Sequence, residues 1–299
     1  MGVTLGQLLG QVRFALTGLG AVTDATATLA VAVDATATTV SLDDVSEFDR
    51  GVAEVDFELL RVAAVDPQNN LLTIPGYGRG YHGSIATAHT LGSEVTFNPM
   101  WPKWTVASAI NEVVRGLYPD LYVVRSVTTT IPSDGGPLTV PTTAVGVISV
   151  WLESWTTPGT YVRENRWDYD PDSQDLGRTL RLGNGVVGQG VRVLYAERPG
   201  AFDLNAVAPL TQDFATVTGF NERLVDLIAL GVANRLTPFI DVGRMPMAGA
   251  EARADASAKS NDPYGYKAKI RVAEFQARVQ AEKDALVREH PVRLHHIGR

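Results

Sequence analysis

The spacing of apolar residues changes period several times along the chain. Over residues 4–17, Leu5, Leu8, Leu9, Val12 and Leu16 recur in steps of three and four, which predicts an amphipathic helix. Thr4 precedes it as a hydroxyl N-cap, and Gly18 and Gly20 follow as terminators. From 26 to 97 a β pattern takes over. ATLAVAV, TTVSL, VAEVDFELLRVAAV, LLTI and SEVTF are rich in β-branched residues and are separated by the turn signals DAT, DRG, DPQNN and GYGRG. Short strands packed this closely predict a small barrel or sandwich. Val106, Ile110, Val113 and Leu117 then lie on one face of a helix over 105–118, stopped by Pro119.

β character returns over 121–198, in YVVRSVTTTI, PLTV, GVISVWLE, TYVRENRWDY, RTLRL and VRVLYAE. The last third is helical. Thr218 is placed to cap a helix over 220–237 with Leu224, Leu227, Ile228 and Val232 on its face, ended by Pro238. Residues 239–264 hold breakers and the Ala-rich piece AGAEARADASAK, a short helix or a connector. A long helix over 265–289 carries a narrow stripe of Val272, Phe275, Val279 and Leu286. Its solvated side has the i,i+4 pairs Glu274–Arg278, Arg278–Glu282 and Asp284–Arg288. Such a stripe suits packing against one or two helices, including those of a neighbouring subunit. His290-Pro291 ends it.

Runs of helix alternating with runs of strand predict an α+β fold. The expected architecture is a helical-bundle core built from residues 1–20, 99–120 and 205–299, with two β-rich (barrel or sandwich) insertions. These are a small β-barrel module over 21–98 and a second β-sheet module over 121–204.

Composition narrows the chemistry. The 299 residues include no cysteine, which excludes disulfides, a thiol nucleophile and Cys-ligated zinc. Net charge is −7, although 251–299 holds 10 Lys and Arg against 7 Asp and Glu. An acidic body argues against a large nucleic-acid-binding face. No apolar run approaches the ~18 residues of a membrane span, and the start MGVTLGQLLGQVRFALTGLG lacks the basic opening of a signal peptide.

The candidate motifs lean to structural roles. GNGVVG (183–188) has dinucleotide-loop spacing, but strand patterns flank it on both sides where a helix should follow. The glycines of GYGRGYHG (76–83) read as turn residues. Asp168, Asp170, Asp172 and Asp175 form an acidic cluster, yet an EF-hand loop begun at Asp168 would need Gly at Ser173 and Glu at Thr179. An acidic turn is the better reading, as it is for Asp43, Asp44, Glu47 and Asp49. His82 and His89, or His295 and His296, lack metal-site spacing, and no HExxH or GxSxG occurs. No catalytic, cofactor-binding or metal-ligating residue is assigned, and enzyme activity is not expected.

RGYHGSIATAHTLGSEV (79–95) is more specific. Arg79, Gly80, Gly83, Ser84, Ala86, His89, Gly92 and Val95 fall in the frame RGxxGSxAxxHxxGxxV. This resembles a pattern of small β-barrel modules in tailed-bacteriophage virion proteins. Physically it reads as a turn at Arg79-Gly80, a tight loop and entry at Gly92 into SEVTF, with His89 anchoring the loop by a hydrogen bond. The later order, RWDYD, RTLRL and GVRVLYAERP before the ERLVDLIALGVANRL and YKAKIRVAEFQARVQAEKDALV helices, resembles the head-to-tail adaptor (connector) proteins of long-tailed phages. The resemblance implies a structural virion protein of the head–tail neck, assembled in the host cytoplasm. It implies a homo-oligomeric, twelve-fold ring beneath the portal protein that extends the DNA channel and offers a platform to a tail-side neck or stopper protein. Genomic DNA would pass through without sequence-specific binding, and no membrane is involved. The basic tail, with Val292, Arg293, Leu294, His295, His296, Ile297 and Arg299, is a candidate docking segment for a neck partner. Two alternatives stand beside this reading. One is a tail-completion, stopper or baseplate protein. The other is a carbohydrate-binding host-attachment module using Trp151, Trp155, Trp167 and Tyr161 as stacking surfaces.

Overall fold

The computed structural model describes residues 2–17, 24–173, 177–206, 208–236 and 263–290. The chain divides into two compact units, the first drawn from 1–113, 202–214 and 228–268, the second from 114–201, 215–227 and 269–299.

In the first unit, helix α1 (Leu5–Thr17) buries Leu5, Leu8, Leu9, Val12 and Leu16, the apolar face its spacing predicts. Thr4 caps it within a capping box: Gln7 N–H donates to the Thr4 hydroxyl at 3.3 Å, and Thr4 N–H donates to Gln7 Oε1 at 2.9 Å. The strands are β1 (Ala25–Thr28), β2 (Thr39–Ser41), β3 (Gly51–Val55), β4 (Glu58–Val62), β5 (Ala64–Asp66), β6 (Leu71–Thr73) and β7 (Glu94–Phe97). They form two antiparallel sheets, in the orders β1-β7-β3-β4 and β2-β6-β5. VAEVDFELLRVAAV is therefore three strands: Asp56 adopts positive φ (52°) and turns β3 into β4 with Val55 opposite Glu58, and the chain then passes to the other sheet as β5. Leu29, Val40, Leu42, Ala53, Val55, Leu60, Val62, Leu72 and Val95 fill the core between the sheets.

The other face of β3 is covered too. Glu54 is buried there, accepts the N–H of Lys103, the first residue of helix α2 (Lys103–Gly116), and has Arg13 of α1 at 3.8 Å. A carboxylate at a helix N-terminus complements the partial positive charge of the exposed amides. Further along α2, buried Asn111 exchanges two hydrogen bonds with the backbone of Phe202, at 2.9 and 2.8 Å, as a strand would.

The second unit holds β8 (Val123–Thr130), β9 (Leu138–Thr139), β10 (Ala144–Glu153), β11 (Tyr161–Glu164), β12 (Trp167–Ser173), β13 (Gly177–Leu182) and β14 (Gly190–Glu197). They pair antiparallel in the orders β11-β10-β14-β8 and β12-β13-β9. Val150, Val191 and Val193 on one sheet pack with Leu138 and Leu180 on the other. Asp168 and Asp170 lie inside β12, exposed and opposite Arg181 and Thr179, so this part of the acidic cluster is a strand face rather than a turn. TYVRENRWDY likewise splits into β11 and β12 in different sheets.

The helical-bundle core is overturned. The described strands form four antiparallel sheets. Among the described residues the helices are α1, α2, α3 (Phe214–Thr218), α4 (Val225–Leu236) and α5 (Pro263–Glu289), and each β module holds an apolar core cluster of its own. The molecule is α+β or mainly β. The physical reason is visible in α5, where none of the described side chains from Ile270 to His290 is buried. Its stripe is too narrow, and the rest of its surface too charged, to supply the wide apolar face that a bundle core needs. Phe275, Val279 and Leu286 are only half-covered, and ion pairs tether the helix: Lys283 to Asp120 at 2.7 Å and Glu282 to Arg223 at 3.1 Å. Of the expected i,i+4 pairs, Glu274–Arg278 forms at 2.9 Å. The helix expected over 220–237 starts differently. Asn221, not Thr218, caps it by accepting the Arg223 N–H, and a 3-10 turn (Glu222–Leu224) leads into α4. Thr218 closes α3 instead, its hydroxyl accepting the Phe220 N–H at 3.1 Å.

Candidate functional site

The 79–95 motif closes the end of the first β module around one buried carboxylate. Glu58 opens β4 on the face shared by Val55 and Leu60, and is 1% exposed. Arg79 Nε donates to Glu58 Oε1 at 2.7 Å, and Arg79 Nη2 to Oε2 at 2.9 Å, a bidentate fork. Gly80 N–H donates to Oε1 at 2.9 Å and Thr87 N–H to Oε2 at 3.0 Å. His89 Nε2 sits 2.8 Å from Oε2, and its Nδ1 sits 2.8 Å from Asp56 Oδ2. The remaining Arg79 N–H groups donate to the carbonyls of Thr87 at 2.7 Å, Ala37 at 3.3 Å and Asp34, so all five have acceptors.

The other members of the frame serve the same closure. Gly80 has φ 59°, and a Cβ there would lie 2.7 Å from the Ser84 carbonyl oxygen. The Ser84 hydroxyl accepts the Leu59 N–H at 2.9 Å and donates to the Tyr81 carbonyl at 2.9 Å. Gly92 takes φ 82° at the entry to β7, and Val95 is in the core. His89 also exchanges backbone hydrogen bonds with Val33 at 2.7 and 2.9 Å.

Burial pushes the Glu58 carboxyl up, but the hydrogen bonds from Arg79, His89, Thr87 and Gly80 outweigh it and bring it down to about 2. Burial pulls His89 down, and Glu58 and Asp56 outweigh that and raise it, which favours the doubly protonated ring between two carboxylates. Glu54 is held above the usual range because burial outweighs the Lys103 charge and N–H and the Arg13 charge, and its Oε2 has no hydrogen-bond partner. Both Glu58 oxygens are fully engaged and the cluster closes one end of the module. It is a latch, with Asp56, 56% of whose side chain is exposed, as the member that reaches solvent. Sequence reading found Arg79 and His89 but missed Glu58 and Asp56. The available signal was a lone carboxylate at the start of the apolar strand ELLRV, directly after a turn.

The second unit exposes a different surface. The four aromatic residues singled out by sequence are dispersed. Trp167 packs against the core of the module. Trp151 and Tyr161 lie on the outward face of the larger sheet, where Trp151 stands between Arg163 and Arg192 in register and the Arg192 guanidinium lies 4.2 Å from the Tyr161 ring centre. Trp155 is free of the sheet and 61% exposed in the β10–β11 hairpin. A cleft of about 360 Å³ at its foot is lined by Leu152, Glu153, Trp155, Val162, Arg163 and Gln189.

The 183–188 glycine run joins β13 to β14 as a strand-to-strand connection, without the helix N-terminus that a dinucleotide pyrophosphate needs. No cluster of His, Asp and Glu suited to a metal ion occurs among the described residues. Residues 292–299, the candidate docking tail, lie outside the described residues, as do most of 239–264. No described helix is long and apolar enough to cross a membrane. The chain matches no protein family and no curated protein.

Proposed function

We propose that the chain is a structural head-to-tail adaptor of a tailed-phage neck, forming a ring beneath the portal that extends the DNA channel and receives a tail-side protein. The observation that carries this reading is α5. A 27-residue helix that leaves Ile270, Val272 and Val287 exposed and buries no described side chain from 270 onward offers a long surface to neighbouring subunits. A closed ring uses such a surface against a different face of the next copy. The 79–95 frame adds support, because the resemblance rests on residues that here share one rigid closure rather than on scattered identities. Net charge of −7 suits a wall past which DNA slides without being gripped. The basic tail 292–299 is proposed to dock on an acidic neck partner.

The test is reconstitution. The purified chain, mixed with portal-bearing heads, should add a ring beneath the portal in electron micrographs, and Val272→Asp should abolish the ring while leaving the melting temperature unchanged. Location at the tail tip, or no association with heads, rejects the adaptor reading.

A further inference from the structure

β8 and β11 are the two edges of the larger sheet of the second unit, β11-β10-β14-β8. Strand parity tells which backbone groups each edge leaves open. Ile131 N–H donates to the Gln189 carbonyl at 3.0 Å, in the register that continues into β8 and β14. Val123, Arg125, Val127 and Thr129 therefore bond to β14, and the N–H and C=O groups of Val124, Ser126, Thr128 and Thr130 point away from the sheet. Among the described residues nothing hydrogen-bonds to these outward groups, and Ser126, Thr128 and Thr130 are exposed. At the other edge, Ser154 N–H donates to the Thr160 carbonyl at 2.7 Å, so Val162 and Glu164 bond to β10 while Tyr161 and Arg163 turn their backbone groups outward.

β8 is eight residues long, reads VVRSVTTT and keeps an uninterrupted register against β14. It has no proline, no lysine and no bulge, the devices that keep an edge from pairing. Such an edge accepts a further strand. The same sheet supplies a matching one. With four strands alternating in direction, β8 and β11 run antiparallel to each other. A second copy set alongside with its strand directions kept therefore brings its β11 antiparallel to β8, with both core faces on the same side. Place Tyr161 and Arg163 of the second copy opposite Thr128 and Ser126, and each pair exchanges two hydrogen bonds. That register also sets Val162, 60% exposed in the single chain, beside half-buried Val127 on the core face. Glu164 falls opposite Arg125, so the one charged pair across the seam has opposite signs. A slip of two residues either way replaces the Val–Val pair with Val162 against Arg125 or Thr129.

We propose that β8 is an interface between copies of this chain, extended by β11 of the next copy into a sheet that runs from subunit to subunit. The contact uses a different edge on each side, the head-to-tail arrangement from which rings close. It goes beyond the adaptor reading and does not depend on it, since the seam needs neither the portal nor α5.

The chain has no cysteine, so the full-length double variant Ser126→Cys/Arg163→Cys tests the seam directly. Within one copy the two positions lie three strand spacings apart, about 14 Å, and a disulfide spans Cα atoms only up to roughly 7 Å, so any bond joins two copies. Mild oxidation should give a ladder of linked multimers on a non-reducing gel. Moving the first thiol along the strand, with Thr130→Cys in place of Ser126→Cys, should cut linkage by about tenfold or more. In the double-cysteine background, Thr128→Pro removes an outward N–H without touching a bond to β14, and Val162→Lys puts a charge into the seam. Each should abolish the ladder and leave the melting temperature of the reduced chain unchanged, and Val162→Lys carries the test alone if Thr128→Pro lowers it. No ladder overturns the proposal, as does equal linkage through Thr130→Cys or a ladder that survives Val162→Lys. Efficient dimers from Ser126→Cys alone would pair β8 with β8 about a two-fold axis and overturn it as well.

Discussion

The two β modules use similar strand patterns and solve opposite problems. In the first, charge is drawn inward: Glu58, Arg79 and His89 are buried at one end of the module and pin the 79–95 loop to β4. In the second, the core is aliphatic and aromatic, and Arg163 and Arg192 flank Trp151 on the outward sheet face. A buried, hydrogen-bonded ion cluster contributes more to choosing one loop geometry than to net stability, because desolvating the charges offsets much of their attraction. An aliphatic core with free outward groups leaves loops and faces available to ligands. The first module therefore reads as a rigid part, and the second as the part with an open surface.

The sharpest way to break this contrast is to remove Arg79. Arg79→Ala strands Glu58 as a buried charge with fewer donors, and should cost about 3–5 kcal/mol in chemical denaturation. Arg79→Lys should recover less than half of that, because an ammonium cannot serve both carboxylate oxygens and three carbonyls in fixed directions. A loss under about 1 kcal/mol for Arg79→Ala would show that the latch is not closed in solution.

The second module should respond to volume instead of charge. Leu180 is fully buried between its sheets, and Leu180→Ala should cost about 2–5 kcal/mol. That cost should be independent of pH. If it varied with pH as the first module's does, the two regions would not be separable in this way.

The latch carries a pH signature of its own. The lowered carboxyl of Glu58 contributes stability that is fully present above the unfolded value near 4.5 and is lost as pH falls through about 2. The raised His89 contributes stability fully present below the unfolded value near 6.5, and lost as pH rises through its higher folded value. The two together are strongest between about 4.5 and 6.5. The stability difference between the wild-type chain and His89→Gln should be largest in that window and shrink at alkaline pH. A difference that grows above neutrality would mean His89 is neutral in the latch. Glu54 acts in the opposite sense: a raised buried carboxyl gains stability as pH falls through its folded value, so Glu54→Gln should stabilise the chain at neutral pH.

The legible parts were those decided by local spacing. Leu5, Leu8, Leu9, Val12 and Leu16 with Thr4 before them specify α1 and its cap, and the β-branched runs mark where strands lie. The global arrangement was not local. Periodicity shows that α5 is a helix but not that its stripe remains half-covered, so four helical segments suggested a bundle core where the described residues give four antiparallel sheets and an unburied α5. At the latch, Arg79 and His89 stand out because they punctuate a glycine-rich loop. Their partner lies 21 residues before Arg79 in a strand whose alternation hides it, and only the pairing of Val55 with Glu58 brings the carboxylate to the end of the module. The aromatic residues were visible as a set, but strand parity separates them: Trp167 points into the core, whereas Trp151 lies on the outward sheet face.

The smallest effect expected is the most informative about the open surface. Trp155→Ala removes the largest exposed side chain of the β10–β11 hairpin, yet its indole makes no hydrogen bond among the described residues and sits 61% in solvent. Exposed substitutions that touch no cap, core or buried network shift stability within about 0.5 kcal/mol. The hairpin keeps its internal bonds from Gly159 and Ser154, which do not involve the indole. Trp155→Ala should therefore melt with the wild-type chain. A loss above about 1 kcal/mol would place the indole among the packing contacts of the module, and the contrast between a pinned first module and an open second one would fail at the residue chosen to represent it.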